Sequence, residues 1–201
     1  MHRRQFIPAM VVVAALALAL LPQGGGGPGQ PPATAAGTPA PAAPRPNIIL
    51  ILTDDMRVDE LRHMPTVRAR LKARGITLTR SFVVNSLCCP SRAAILTGTY
   101  SHTNRVYLNG DKGVGGFPDF RDGATLPVWL RRAGYRTALI GKYLNNYSPG
   151  SYVPPGWTDW RALVGKNAAF YEHDVSIDGS VVHHGSEPDD YATDVLSLIH
   201  I

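Results

Sequence analysis

The chain has 201 residues, 44% of them hydrophobic, which is enough for one domain with a real core. Its formal charge of +5 includes Arg3 and Arg4, so the rest of the chain carries only +3, too weak a field to point to a nucleic-acid partner. The two cysteines, Cys88 and Cys89, are adjacent, which excludes a disulfide framework.

Residues 1–35 read as a signal peptide. Met1-His2-Arg3-Arg4 is a short basic start, and Ala9 to Leu21 is an uncharged apolar run of 13 residues, too short for a stable membrane span. Ala33-Thr34-Ala35 offers a small-residue cleavage site. Arg3-Arg4-Gln5-Phe6-Ile7 suits a twin-arginine signal as well as an ordinary Sec signal, so the protein is expected to be exported, to the periplasm or the outside, by either route. Residues 36–46 form a Pro/Gly/Ala-rich linker, and residues 22–46 together hold 8 of the 17 prolines.

The domain is expected over residues 47–201. Ile48 to Leu52 is a continuous apolar run, as in a parallel strand buried on both faces. It ends at Asp54-Asp55, on the sheet edge where open α/β folds bind ligands. Adjacent carboxylates repel unless a cation sits between them, although one of them could simply cap a turn. Thr66 to Arg74, closed by Gly75, predicts a helix whose basic residues Arg68, Arg70, Lys72 and Arg74 form a solvated face. Ile76 to Val84 predicts a strand leading to Cys88.

Pro90 and Ser91 favour a first helical turn, Ala93 to Leu96 continue it, and Gly98 ends it. Cys88 is therefore expected just before a helix N-terminus, with Arg92 one turn in and able to reach back over it. Read by spacing alone, a buried cysteine pair leading into an ordinary helix fits equally well.

Leu126 to Ala133 with Gly134 predicts another helix, and Arg136 to Ile140 a buried strand that delivers Lys142 to its carboxyl end. Tyr152, Trp157 and Trp160 suit core aromatics better than a sugar platform. His102 falls just beyond the Cys88 helix, in a structural or supporting position. Val175 to Val182 predicts a β-hairpin turning at Asp178-Gly179, and a further helix opens at Pro188.

Cys88-x-Pro90-Ser91-Arg92 with Leu96-Thr97-Gly98 resembles the signature of the type I sulfatases of the alkaline phosphatase superfamily, in which the first cysteine is oxidised to formylglycine. The resemblance implies an α/β, alkaline-phosphatase-like fold with a mostly parallel sheet flanked by helices. It further implies a formylglycine-generating enzyme acting on Cys88, with Cys89 structural. Asp54-Asp55 after Asn47 to Thr53 resembles the family's calcium-binding doublet. Calcium takes about 6–8 oxygens, so Asp54, Asp55 and the hydrated formylglycine at position 88 would fill only part of its shell. Gly141-Lys142-Tyr143 resembles the segment whose lysine contacts the sulfate, but Leu144 stands where many sulfatases carry a histidine, which leaves the proton donor unassigned.

Gly141 to Asn145, Val153 to Trp157, Trp160 and Val175 to Val182 resemble the branch of N-acetylglucosamine-6-sulfatases and extracellular endosulfatases. The likeness runs from about Arg45 to Val195 and implies a sulfuric ester hydrolase. Cys88 and Arg92 would be catalytic, Lys142 would bind substrate, and Asp54, Asp55 and Cys88 would hold calcium. The substrate would be a sulfated carbohydrate or an aryl sulfate. A phosphonate or phosphodiester hydrolase of the same superfamily, and a non-catalytic sulfoglycan-binding protein, are the alternatives. The family's later metal pair, lysine and histidine have no counterpart, so the chain is expected to be an incomplete N-terminal part, inactive alone.

Overall fold

A computed structural model describes residues 45–110, 113, 115–148, 150, 152–165 and 169–198. The expected signal peptide, most of the linker and the last three residues lie outside these. No described helix is long and apolar enough to cross a membrane. The chain divides into two units, Met1–Ile49 and Leu50–Ile201. Of the first, the described residues 45–49 are exposed and outside any helix or strand; the second holds the site.

The class is α/β. After a 3-10 helix at Val58–His63 come α1 (Pro65–Val67), continued by a π-helical turn over Arg68–Lys72, then α2 (Cys88–Thr97), α3 (Ser101–Asn104) and α4 (Leu126–Arg132). Strands β1 (Ala138–Gly141), β2 (Asp159–Val164), β3 (His173–Ile177) and β4 (Ser180–His184) precede a final α5 (Ala192–Leu198). The sheet is mixed, in the order β1-β2-β3-β4, with β1 parallel to β2 and the other two pairs antiparallel.

Local rules account for several elements. The two-residue loop Asp178-Gly179 joins β3 to β4, with φ of 48° and 90° matching the twist of the strands it connects. Gly98 ends α2 at φ 66°. Gly156, at φ 93°, must be glycine, since a Cβ there would stand 2.4 Å from the Val128 nitrogen at the start of α4.

The core lies where β2 meets α2. Period-two alternation turns Trp160 and Ala162 inward. Tyr143 and Tyr147 meet the Trp160 ring edge-on at 5.0 and 5.4 Å, while Cys89 and Ala93 close the other side. The Trp160 Nε1–H donates to the Tyr147 hydroxyl at 2.9 Å, so the buried indole is satisfied. Trp160 and Trp157 thus belong to the core, as expected, while Tyr152 is partly exposed and donates to Asp122 at 2.8 Å.

Three expectations are corrected. Ile48 to Leu52 and Ile76 to Val84 form no strand, and their large side chains are exposed, with Ile51 at 73% and Phe82 at 89%. Apolar composition says that burial would be favourable, but a strand also needs a neighbour, and none of the described strands pairs with either segment. β1 is half exposed rather than buried, because among the described residues it pairs only with β2. The basic stretch 68–74 is solvated, as expected.

The outermost pair of the hairpin, His173 opposite His184, stacks at 5.1 Å. His173 is 5% exposed, and neither ring nitrogen has a partner among the described residues. Burial first, then His184, holds its pKa below the usual 6.5, although Asp190 and Asp174 pull the other way. A chain that unfolds takes up the proton that the folded imidazole refuses, so this contribution is complete above 6.5 and lost as pH falls below it. Exposed His183, raised by Asp174, has the opposite sign and is screened by salt. The urea midpoint should therefore fall between about pH 7.5 and about pH 5.5, and His173→Phe should flatten that fall. An unchanged slope in the variant would reject this account.

Candidate active site

α2 starts with Cys88 itself as its first residue, one position earlier than expected, after an extended Leu87 that supplies no side-chain cap. Its first free N–H groups are handled by other means. Ser91 N–H makes the first helical bond, to Leu87 O at 3.0 Å; of the donors before it, Pro90 has none and Cys89 N–H donates to Asn109 Oδ1 at 2.8 Å. Asn109 is a cap borrowed from 20 residues away, and nothing in Leu108-Asn109-Gly110 read as a turn would have revealed it. Asn109→Ala should cost about 0.5–2 kcal/mol, in line with other lost caps, and fray the start of the helix, measurable by unfolding and by amide exchange at Cys89.

The two thiols part company at this turn. Cys89 is fully buried, and burial pushes its thiol up to about 11, a core group rather than a reactive one. Cys88 is partly accessible and lies 3.2 Å from Asp54 Oδ1.

Asp54 is the hub. Its Oδ2 takes the Lys142 ammonium at 2.7 Å and the Arg92 guanidinium at 3.3 Å. Burial pushes the Asp54 carboxyl up, but the Lys142 and Cys88 hydrogen bonds and the Lys142 and Arg92 charges outweigh it, and the net shift is below 3.8. Arg92 also donates to the Lys142 carbonyl at 2.5 Å, so its reach is forward to the end of β1 as well as over the α2 N-terminus. Lys142 follows directly on β1, as expected.

Asp55 adopts φ 54°, a left-handed conformation that aspartate tolerates. One donor atom from each of Asp54, Asp55 and Cys88 lies within 4.8 Å of the others, a spacing open to a single cation. Two carboxylates against Arg92 and Lys142 leave the cluster near neutral, so an added divalent cation would give it the positive charge that suits an anionic substrate. The oxygen donors favour a hard cation such as calcium.

Neighbouring positions fall elsewhere. Leu144 is 2% exposed and packs in the core. Asn145 is buried, and its Oδ1 has no partner among the described residues. His102, on α3, is exposed and stacks on Tyr100 at 5.8 Å.

Comparison with known proteins gives a consistent result. A Sulf-1 homolog of Caenorhabditis elegans is 42% identical over 155 residues, covering 75% of this chain and 22% of its own. Human N-acetylglucosamine-6-sulfatase is 39% identical over 171 residues, covering 78% and 30%. The solved structure of BT4656 with its substrate D-glucosamine-2-N,6-O-disulfate overlaps 61% of this chain and 22% of that one, at 32% identity and a TM-score of 0.44. The chain thus spans less than a third of the length of these relatives. The family model described as Sulfatase matches residues 46–180, a stretch that takes in Asp54 and the four residues gathered around it, and the chain belongs to the sulfatase family.

Proposed function

We propose that this protein hydrolyses sulfate esters, with Cys88 converted to formylglycine as the nucleophile and calcium held by Asp54, Asp55 and residue 88. The observation that supports this most is the meeting of Asp54, Asp55 and Cys88 within 4.8 Å, with Lys142 brought from 88 residues away onto Asp54. The Cys88 sulfur stands where one oxygen of the hydrated aldehyde would be. Hydrated formylglycine would supply two geminal hydroxyls, one as a nucleophile toward sulfur and the other able to re-form the aldehyde and so release sulfate. Calcium held there would supply a divalent positive charge to stabilise the anionic sulfuryl group.

The chain's own groups do the rest. Lys142 offers its ammonium to the sulfate, and Asp54 holds that ammonium in place. Arg92 ties the Lys142 backbone to α2, which keeps the nucleophile and the sulfate-binding lysine at a fixed spacing. The positive end of α2 favours an oxyanion at residue 88.

For the substrate we propose a sulfated carbohydrate of the N-acetylglucosamine 6-sulfate type, supported by the name of the human relative. Residues 47–201 would then be catalytic domain, delivered outside the cytoplasm by residues 1–35, with residues 36–46 as linker and a formylglycine-generating enzyme as processing partner. The test is made on the whole protein that carries this chain, produced beside that enzyme and supplied with calcium. Sulfate release from N-acetylglucosamine 6-sulfate is expected, with a sulfate ester cleaved faster than the matching phosphonate ester. Faster cleavage of the phosphonate would reject the reading.

A further inference from the structure

The far end of α2 from Cys88 borders a second concavity, of about 250 Å³, walled by the end of α2, by α3 and by residues 120–129. Arg105 and Arg121 line it, and no aspartate or glutamate does. Both are exposed, and neither pairs with a carboxylate among the described residues. Two unpaired guanidinium groups at one hollow are open to an oxyanion, which their planar forks can grip through paired N–H donors.

The other lining groups divide by what they already bind. Thr97 donates to Ala93 O at 2.7 Å, and Asn104 is used at both ends, by Thr99 O and by Val106 N–H, each at 2.9 Å. These bonds build the wall. The Thr103 hydroxyl has no partner among the described residues, and Trp129 presents an indole that is 44% exposed beside buried Phe120. Free donors beside an aromatic face match an anionic sugar ring, whose C–H face can lie on the indole while its charged group meets the arginines.

We propose that this concavity is a second subsite for a sulfated sugar unit, occupied by a residue of the same glycan chain that enters the Cys88 site. The choice of a sulfated chain rests on the function proposed above. Ten helical residues separate the two sites by about 15 Å, a span that an oligosaccharide bridges and a single ring does not. The subsite would hold polymeric substrate without touching the reacting atoms.

The test uses the 201-residue chain carrying Lys142→Ala, which disables the main site, and follows tryptophan emission at low salt. The probes are a heparin-derived hexasaccharide, its desulfated N-acetylated counterpart and sodium sulfate. The sulfated hexasaccharide should bind, and the desulfated one should not. Arg105→Asn with Arg121→Gln should weaken binding by about tenfold or more, since two charge-assisted contacts are lost. Asparagine tolerates the φ of 64° found at Arg105. Trp129→Phe should remove the emission change. Paired lysine replacements, which keep the charge, should retain part of the affinity, and far-ultraviolet circular dichroism checks that each variant is folded.

Binding unaffected by the double arginine replacement would overturn the proposal, as would sodium sulfate binding as tightly as the hexasaccharide. In the whole protein with Lys142 intact, the double replacement should leave turnover of a monosaccharide sulfate unchanged. Arginine-dependent binding, with no sulfate release by the whole protein, would sustain the subsite and reject the hydrolase, and release by the whole protein without arginine-dependent binding would do the reverse.

Discussion

In the whole protein, Cys88→Ala is expected to abolish sulfate release, by on the order of 10⁴-fold or more, because it removes the proposed nucleophile. Cys89→Ala should leave turnover nearly intact and cost about 1 kcal/mol of stability, the price of one buried sulfur in a packed core. The contrast follows from the position of the two side chains. Cys88 is partly accessible at the head of α2 and in contact with Asp54, whereas Cys89 is sealed against Ala93, Trp160 and their neighbours. Trypsin cuts after Arg80 and Arg92 and releases Ser81 to Arg92 as one peptide containing both cysteines. Fragmentation of that peptide should place an aldehyde at residue 88 and an unmodified thiol at 89. An aldehyde at 89, or an active preparation with neither residue modified, would sink the assignment.

Asp55→Asn is expected to weaken calcium binding by about tenfold or more, through the loss of one full carboxylate charge from the proposed hard-cation site. It is the cleaner of two tests. Asp55 sits at φ 54°, which asparagine adopts as readily, so the backbone should stay and only the charge should go. Asp54→Asn should do more, since it also leaves the Lys142 ammonium and the Arg92 guanidinium without their shared counterion. That variant should therefore lose stability even in the absence of calcium. Direct calcium titration and the rise in melting temperature on adding calcium read binding without relying on turnover. An unchanged calcium affinity in Asp55→Asn would remove the doublet from the metal site.

Several features were legible in the residues because short-range rules govern them. The Asp178-Gly179 hairpin, the Gly98 helix end, the helix from Leu126 and the arrival of Lys142 at the end of a strand all depend on a few consecutive residues. The motif around Cys88 was legible for a different reason: it is long and chemically specific. The segments at Ile48 to Leu52 and Ile76 to Val84 show the boundary of such reading. Their composition asks for burial, yet pairing is a property of two segments at once, and the strands described here do not supply the second.

The residues themselves specify which chemistry is available: a motif cysteine at a helix start, a carboxylate doublet and a lysine at a strand end. Tertiary structure alone decided how these meet. It placed Asp54 under both cations at once, sent Arg92 to the carbonyl of Lys142, and drew Asn109 across 20 residues to cap α2. It also separated Cys88 from Cys89, facing one toward Asp54 and sealing the other in the core. Those outcomes depend on distances between residues far apart in the chain. Packing around Trp160 fixes the spacing of α2 and the end of β1, since a close-packed core admits few arrangements of the helix and strand that carry Cys88, Arg92 and Lys142.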